Sequence, residues 1–294
     1  MIDICCIGHI TKDKIVTPRA EVFMNGGTSF YFASAIHRLP ERVNFSLVTS
    51  MHPSDMQIVE RFRKHGINVT MFPSRHTVFF ENIYGENSDD RRQNVLAKAD
   101  PFTIEQMKNI DATVYHLGSL LSDDFSVDLV EYLAQKGRVS IDAQGYLREV
   151  REGKVYAIDW KDKLRILKHT YYIKVNEVEM QTLTGLSDPY SAARKLHEWG
   201  VKEVCITLGS EGSLVFIDDS FYEVPAYSPK EVVDATGCGD TYSAGYLWSR
   251  QQGISPLESG KIAAAMCTIK LEHNGPFEGS FEEVEKIIES YEKA

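Results

Sequence analysis

A chain of 294 residues, 43% hydrophobic and 25% charged, has the composition of a soluble globular protein with a large core. Its 42 acidic residues outnumber 32 basic ones for a net charge of −10, which argues against a nucleic-acid partner, since that contact needs a basic face. No apolar run approaches the roughly 18 residues of a membrane span, the start Met1-Ile2-Asp3-Ile4 lacks the basic region of a signal peptide, and five cysteines without a C-x-x-C pair argue against a zinc site or a disulfide framework. A cytoplasmic protein of one domain is expected.

Ile2–Ile7 is almost continuously apolar and stops at Gly8, as a strand buried on both faces does. Thr28–Leu39 is predicted helical, opened by Gly26-Gly27 and stopped before Pro40. A strand at Phe45–Thr49 and a helix at Ser54–His65 follow. Ala112–Leu117, Val139–Asp142, Tyr171–Val175 and Val204–Leu208 are further strands, with helices at Asp124–Gln135 and Pro189–Trp199 between them. This alternation predicts right-handed crossovers and a parallel sheet covered on both faces. His76–Ala99 breaks the rhythm. Val78–Tyr84 and Gln93–Leu96 flank a polar turn at Gly85–Asp90, a hairpin with one solvated face. Such a hairpin serves as a lid or as an interface, and a homodimer through it is expected.

The most informative segment is Asp234-Ala235-Thr236-Gly237-Cys238-Gly239-Asp240, which leads into an apolar helix. Its two glycines let the backbone turn and aim consecutive N–H groups outward, and the helix N-terminus adds partial positive charge there. An anion, most simply a phosphate, is favoured at Gly237, Cys238 and Gly239. A carboxylate at Asp240 would repel that anion, unless it takes a proton from an incoming hydroxyl; the alternative is a helix cap. Neither a G-x-x-x-x-G-K-[ST] loop nor a G-x-G-x-x-G fingerprint is present.

This segment resembles the D-[ST]-x-G-[AC]-G-D signature of the ribokinase, or PfkB carbohydrate kinase, family, departing from it at Ala235. Gly8–Asp13, Gly26-Gly27, Asn176-x-x-Glu179 and Thr207-x-Gly209-x-x-Gly212 are similar to further motifs of that family, in the same order along the chain. The resemblance implies a three-layer α/β sandwich with a mostly parallel sheet, and a small β lid from about 11–22 and 75–99. It implies an ATP-dependent kinase for a sugar or polyol, with Mg²⁺ bridging the phosphates and Asp240 as the base. Asp13, read as a loop residue after the first strand, and Gly26, Gly27, Asn25 and Ser29 would then bind the substrate. Arg148 is a substrate or phosphate contact, or a surface arginine. Asn176, Thr207, Gly209, Gly212, Thr236 and Asn274 would line the ATP site, and Glu179 would reach Mg²⁺ through water. On residues alone, Asn176 and Glu179 also read as a capping box, and Gly209 and Gly212 as a plain hairpin turn. Phe80–Tyr84, Arg92–Val95 and Asp142–Arg148 look like the myo-inositol kinase-like members. A nucleoside kinase of the same fold, or a ligand sensor without catalysis, remains as an alternative.

Overall fold

The computed structural model describes residues 1–18, 20–84 and 91–293. Two sheets carry the fold. The strands of the larger one are, in chain order with the rest, β1 (Ile2–Gly8), then, after β2 (Thr11–Val16) and β3 (Glu21–Gly26) of the smaller, β4 (Phe45–Met51) and β5 (Asn68–Pro73). β6 (Phe79–Tyr84) and β7 (Arg91–Ala97) return to the smaller sheet, β8 (Ala112–Gly118) and β9 (Arg138–Asp142) to the larger, and β10 (Arg148–Arg151) and β11 (Lys154–Ala157) to the smaller again. β12 (Thr170–Asn176), β13 (Glu203–Thr207), β14 (Ser213–Ile217) and β15 (Ser220–Val224) complete the larger sheet. Its order is β15-β14-β13-β12-β9-β8-β1-β4-β5, parallel from β13 to β5, with β14 and β15 added antiparallel.

The helices are α1 (Thr28–His37), α2 (Gln57–Lys64), α3 (Ile104–Met107), α4 (Val127–Lys136), α5 (Lys163–Leu167), α6 (Glu177–Thr184), α7 (Pro189–Glu198), α8 (Cys238–Gln251), α9 (Pro256–Leu271) and α10 (Phe281–Glu292). They cover both faces of the larger sheet. One core joins Cys6 and Tyr172 to Phe32, Trp248 and Met266 of α1, α8 and α9. The other joins Cys5 and Ile173 to Leu129, Met180 and Ala192 of α4, α6 and α7. Adjacent residues of one strand thus serve opposite cores, which is why these strands read as nearly continuous apolar runs.

The smaller sheet has the order β10-β11-β7-β6-β2-β3. It takes in the expected hairpin and adds β10 and β11. The polar turn Gly85–Asp90 lies outside the described residues. Two expectations need correction. Asp13 sits within β2, paired with Met24 and Phe80, not in a loop. The helix expected at Ser54–His65 is a 3-10 turn at Pro53–Asp55 followed by α2, because the His52 ring accepts from the Ser54 amide and caps the turn separately. Among the described residues no helix is long and apolar enough to cross a membrane.

Candidate active site

Parallel strands place their C-terminal ends at one edge of the sheet, and several expected residues gather there. Asp142 ends β9, and Lys174 lies beside it on β12, in register. Both project from the face covered by α8, since their strand neighbours Ile141, Ile173 and Val175 serve the other core. The Lys174 ammonium lies 2.7 Å from the Asp142 carboxylate, with side-chain exposures of 6% and 2%, so this pair is closed from bulk water.

α8 begins over this pair. Gly237, its N-cap, has φ +79°, and a Cβ there would overlap the Tyr31 ring of α1. Only glycine meets both demands. A Cβ at Gly239 would stand 2.6 Å from the Lys174 ammonium, so the bare backbone of the turn lies directly against a buried cation. The turn is pinned by the Asp234 carboxylate, which accepts from the Thr236 amide at 2.9 Å, and by the Cys267 thiol, which donates to the Cys238 carbonyl at 3.2 Å.

Asp240 is buried in the first turn of α8. Burial, then the Asp142 and Glu179 carboxylates, push its carboxyl well above the ordinary carboxylate range; Lys174 and Arg148 pull the other way. Burial alone would lower the Lys174 ammonium, but the surrounding Asp142, Glu179 and Asp240 carboxylates hold it above its ordinary value. Burial likewise raises Glu179, against the pull of Lys174. The cluster therefore combines a carboxyl with proton affinity to spare, a fixed cation, and the partial positive charge of a helix N-terminus, where the Cys238 amide is already engaged by the Ala235 carbonyl at 3.2 Å.

Asn176 and Glu179 form a full capping box for α6. The Glu179 amide donates to Asn176 Oδ1 at 2.9 Å, and the Asn176 amide donates to Glu179 Oε2 at 2.9 Å. Glu179 Oε1 accepts from Asn176 Nδ2 at 3.0 Å, which fixes the carboxylate. Among the described residues no group of three metal-capable side chains stands together. Arg148 opens β10, and its charge reaches both Asp240 and Glu179. Thr207 ends β13, with its hydroxyl on the Val175 carbonyl at 3.4 Å. Gly209 and Gly212 bound the turn into β14; Gly209 has open space where a Cβ would be, whereas one at Gly212 would strike the Val224 carbonyl. Asn274 is exposed in the segment between α9 and α10.

On the smaller sheet, the Thr11 hydroxyl donates to Asp13 Oδ1 at 2.7 Å, and a Cβ at Gly26 would run into the same carboxylate. Asp13 shares its face with Phe80, which packs with Leu120 and Leu121. Asn25 falls on the other face, opposite Lys12. It lines a cavity of about 520 Å³ with Lys12, Asp55, Arg61 and Thr77. Gly27 opens α1 with φ +91°. Ser29 is fully buried, and a Cβ at Gly8 would lie 3.2 Å from its own Cβ. The structure thus brings the charges of Asp240, Glu179 and Arg148 within reach of one another, and the strand register puts Asn25 on the face opposite to Asp13.

Lys174 and Asp142 were not among the expected site residues. The signal was there: a lysine inside the apolar run Tyr171–Val175 has no reason to enter a strand buried on both faces unless a carboxylate meets it.

A family model described as pfkB family carbohydrate kinase matches residues 1–280. A cytidine kinase of Thermococcus kodakarensis is 30% identical over 267 residues, covering 88% of this chain and 91% of that one. A solved pyrophosphate-dependent kinase in the ribokinase family, complexed with a pyrophosphate analog and myo-inositol, is similar with a TM-score of 0.83 at 30% identity, covering 96% of this chain and 99% of that one. A ribokinase of Arabidopsis thaliana, complexed with ribose and ATP, has a TM-score of 0.79 at 19% identity, covering 98% and 99%, a likeness of fold alone.

Proposed function

The chain belongs to the pfkB family of carbohydrate kinases, and from that premise we propose that it transfers a terminal phosphoryl group from ATP to a hydroxyl of a sugar or polyol, inositol-like in shape. The observation that carries this reading is the setting of Asp240. It is a buried carboxyl with a raised proton affinity, in the first turn of α8. Such a group accepts a hydroxyl proton as the oxygen attacks, and the amides of Gly237 and Gly239 take up charge developing on the transferred phosphoryl group, the Cys238 amide being engaged by the Ala235 carbonyl. Lys174 keeps the local charge balanced as the donor arrives. A divalent ion bound with the donor would neutralise phosphate charge, and Glu179, held by Asn176, would meet it through water. Thr207, Gly209, Gly212, Thr236 and Asn274 remain the candidates for the rest of the donor site.

Asp13 is the proposed acceptor contact, with Gly26 and Gly27 keeping side chains out of its way. The smaller sheet then acts as a lid over the acceptor, within a single kinase domain. A homodimer through that sheet belongs to the same reading, supported by Val22 and Phe23 of the edge strand β3, which are 53% and 64% exposed.

A second donor is favoured by one observation. An ammonium fixed 2.6 Å from where a Gly239 Cβ would stand supplies a counter-charge inside the cradle, and a compact donor such as pyrophosphate, which brings no base or ribose to bind, depends on such charge most. The likeness to a pyrophosphate-dependent kinase points the same way.

The test is a matrix of ATP and pyrophosphate against myo-inositol, ribose and cytidine, followed by phosphorus NMR of the product. Transfer to myo-inositol or ribose supports the reading. Transfer to cytidine alone replaces it with a nucleoside kinase, and donor binding without transfer to any alcohol replaces it with a sensor.

A further inference from the structure

Lys270 is a lysine that no part of the chemistry above uses. It lies one residue before the end of α9, in the run Ala263–Leu271, and its side chain is 0% exposed. Among the described residues its ammonium donates to three oxygens: the Asp234 carbonyl at 2.7 Å, Asp234 Oδ2 at 2.9 Å and the His273 carbonyl at 3.2 Å. Three N–H groups meet three acceptors, so the group is saturated. A buried charge is tolerated on just these terms.

What the ammonium holds matters more than how it is held. Between the end of β15 at Val224 and the N-cap Gly237 the chain has no helix or strand. The part next to the cradle is tied down by few bonds, and these converge on Asp234. Its amide and that of Val233 donate to the Leu271 carbonyl at 3.2 and 2.8 Å. Its Oδ1 accepts from Thr236 at 2.9 Å and its Oδ2 from Gly275 at 3.3 Å. Burial alone would raise the Asp234 carboxyl, but the Thr236 amide and the Lys270 ammonium hold it below its ordinary value, so it stays ionised and able to accept all of them. The Cys238 amide then donates to the Ala235 carbonyl at 3.2 Å, and α8 begins. One cation at the C-terminal end of α9 thus organises the segment that sets the direction of α8's first amides.

We propose that Lys270 is a tethered cation, a positioning residue for phosphoryl transfer that holds Asp234 and the approach to Gly237 so that the cradle amides face the donor. This rests on the reading of Gly237–Gly239 as the donor cradle. Carbonyl and carboxylate oxygens of this kind are also the donors that a free ammonium or potassium ion takes, the two being nearly equal in radius. Carrying the cation on its own chain, the protein needs none from solution. Removing the side chain should create that need.

The experiment compares the wild type with Lys270→Ala, which leaves room for an ion, and Lys270→Met, which fills the space without charge. The readouts are steady-state kinetics and hydrogen exchange at residues 234–240, each in ammonium, potassium and tetramethylammonium chloride. Wild-type activity should be indifferent to the salt. Lys270→Ala should raise the donor KM roughly 10–150-fold, the range for a lost charge-assisted hydrogen bond, and leave the acceptor KM unchanged. Ammonium should recover most of that loss. Lys270→Met should show the loss without recovery. Wild-type activation by ammonium or potassium overturns the proposal, as does a folded Lys270→Ala enzyme with an unchanged donor KM or a loss that ammonium does not repair. Should Lys270→Ala fail to fold in tetramethylammonium chloride, its melting temperature takes over: stabilisation specific to ammonium supports the proposal, and none overturns it. Exchange measured without donor isolates the hold of Lys270 on the loop. Failure of both ATP and pyrophosphate to protect the wild-type loop would instead remove the cradle reading.

Discussion

Two carboxylates with opposite surroundings carry the chemistry proposed for this chain. Asp240 is buried among like charges, and Asp13 lies in β2, between β3 and β6 of the smaller sheet, where its Oδ1 accepts from Thr11. Asp240→Asn keeps the shape and loses the base, so kcat should fall by about 10²–10⁴-fold while donor affinity holds; a variant keeping a tenth of the wild-type rate would remove the role. The same substitution should stabilise the protein. A carboxyl raised in the folded state binds its proton more tightly there than when unfolded, so stability falls as pH rises from the unfolded value through the folded one. At neutral pH the variant should melt higher than the wild type, and the difference should close below roughly pH 4, the unperturbed carboxylate value. Asp13→Ala should raise the acceptor KM by roughly 10–150-fold, from the loss of hydrogen bonds to a carboxylate, and leave the donor KM alone; an unchanged acceptor KM would place the acceptor elsewhere. Besides Asp142, the residues that sequence reasoning missed are two lysines, Lys174 and Lys270. Each sits in a run otherwise read as core, where the eye counts apolar neighbours and passes over the one charge that needs explaining.

At the level of elements, the start of α8 is the feature most exposed to test. Gly237 and Gly209 both have positive φ, +79° and +57°, but only Gly237 faces a neighbour, the Tyr31 ring. Gly209→Ala should cost about 1–2 kcal/mol of stability, the penalty for an L residue in that region. Gly237→Ala should add to that about 1–3 kcal/mol of overpacking and weaken donor binding as well. Equal losses in urea titrations of the two variants would mean that the Tyr31 contact yields freely. The large sheet was legible because strands buried on both faces leave nearly continuous apolar runs such as Ile2–Ile7 and Val204–Leu208. β10 and β11 were not, because Arg148–Arg151 and Lys154–Ala157 are short, rich in charge and half exposed, and Val150 and Val155 are too little to mark a strand. Asp13 was read as a loop residue for a related reason: Thr11–Val16 alternates, but its buried face carries an aspartate where a core strand would carry an aliphatic residue.

The whole molecule is a ribokinase-like α/β sandwich with a second sheet set on it, and that sheet ends in an edge. β3 leaves Val22 and Phe23 exposed, one on each face of the sheet, with no strand beyond it among the described residues. If two copies meet there, the wild type should sediment as a dimer and Phe23→Glu as a monomer; a wild type that is monomeric at all concentrations would leave the edge without that partner. The two sheets are also interleaved along the chain, and this has a consequence during synthesis. β1 cannot complete its place between β4 and β8 until Ala112–Gly118 has been made, and β2 waits for Phe79–Tyr84. At about 5–20 residues per second, the nascent chain spends several seconds beyond the ribosome with both sheets open and their apolar strands unpaired. A translating ribosome paused before Ala112 would therefore hold out a set of unsatisfied strand edges, the form of this protein that a holding chaperone is built to bind.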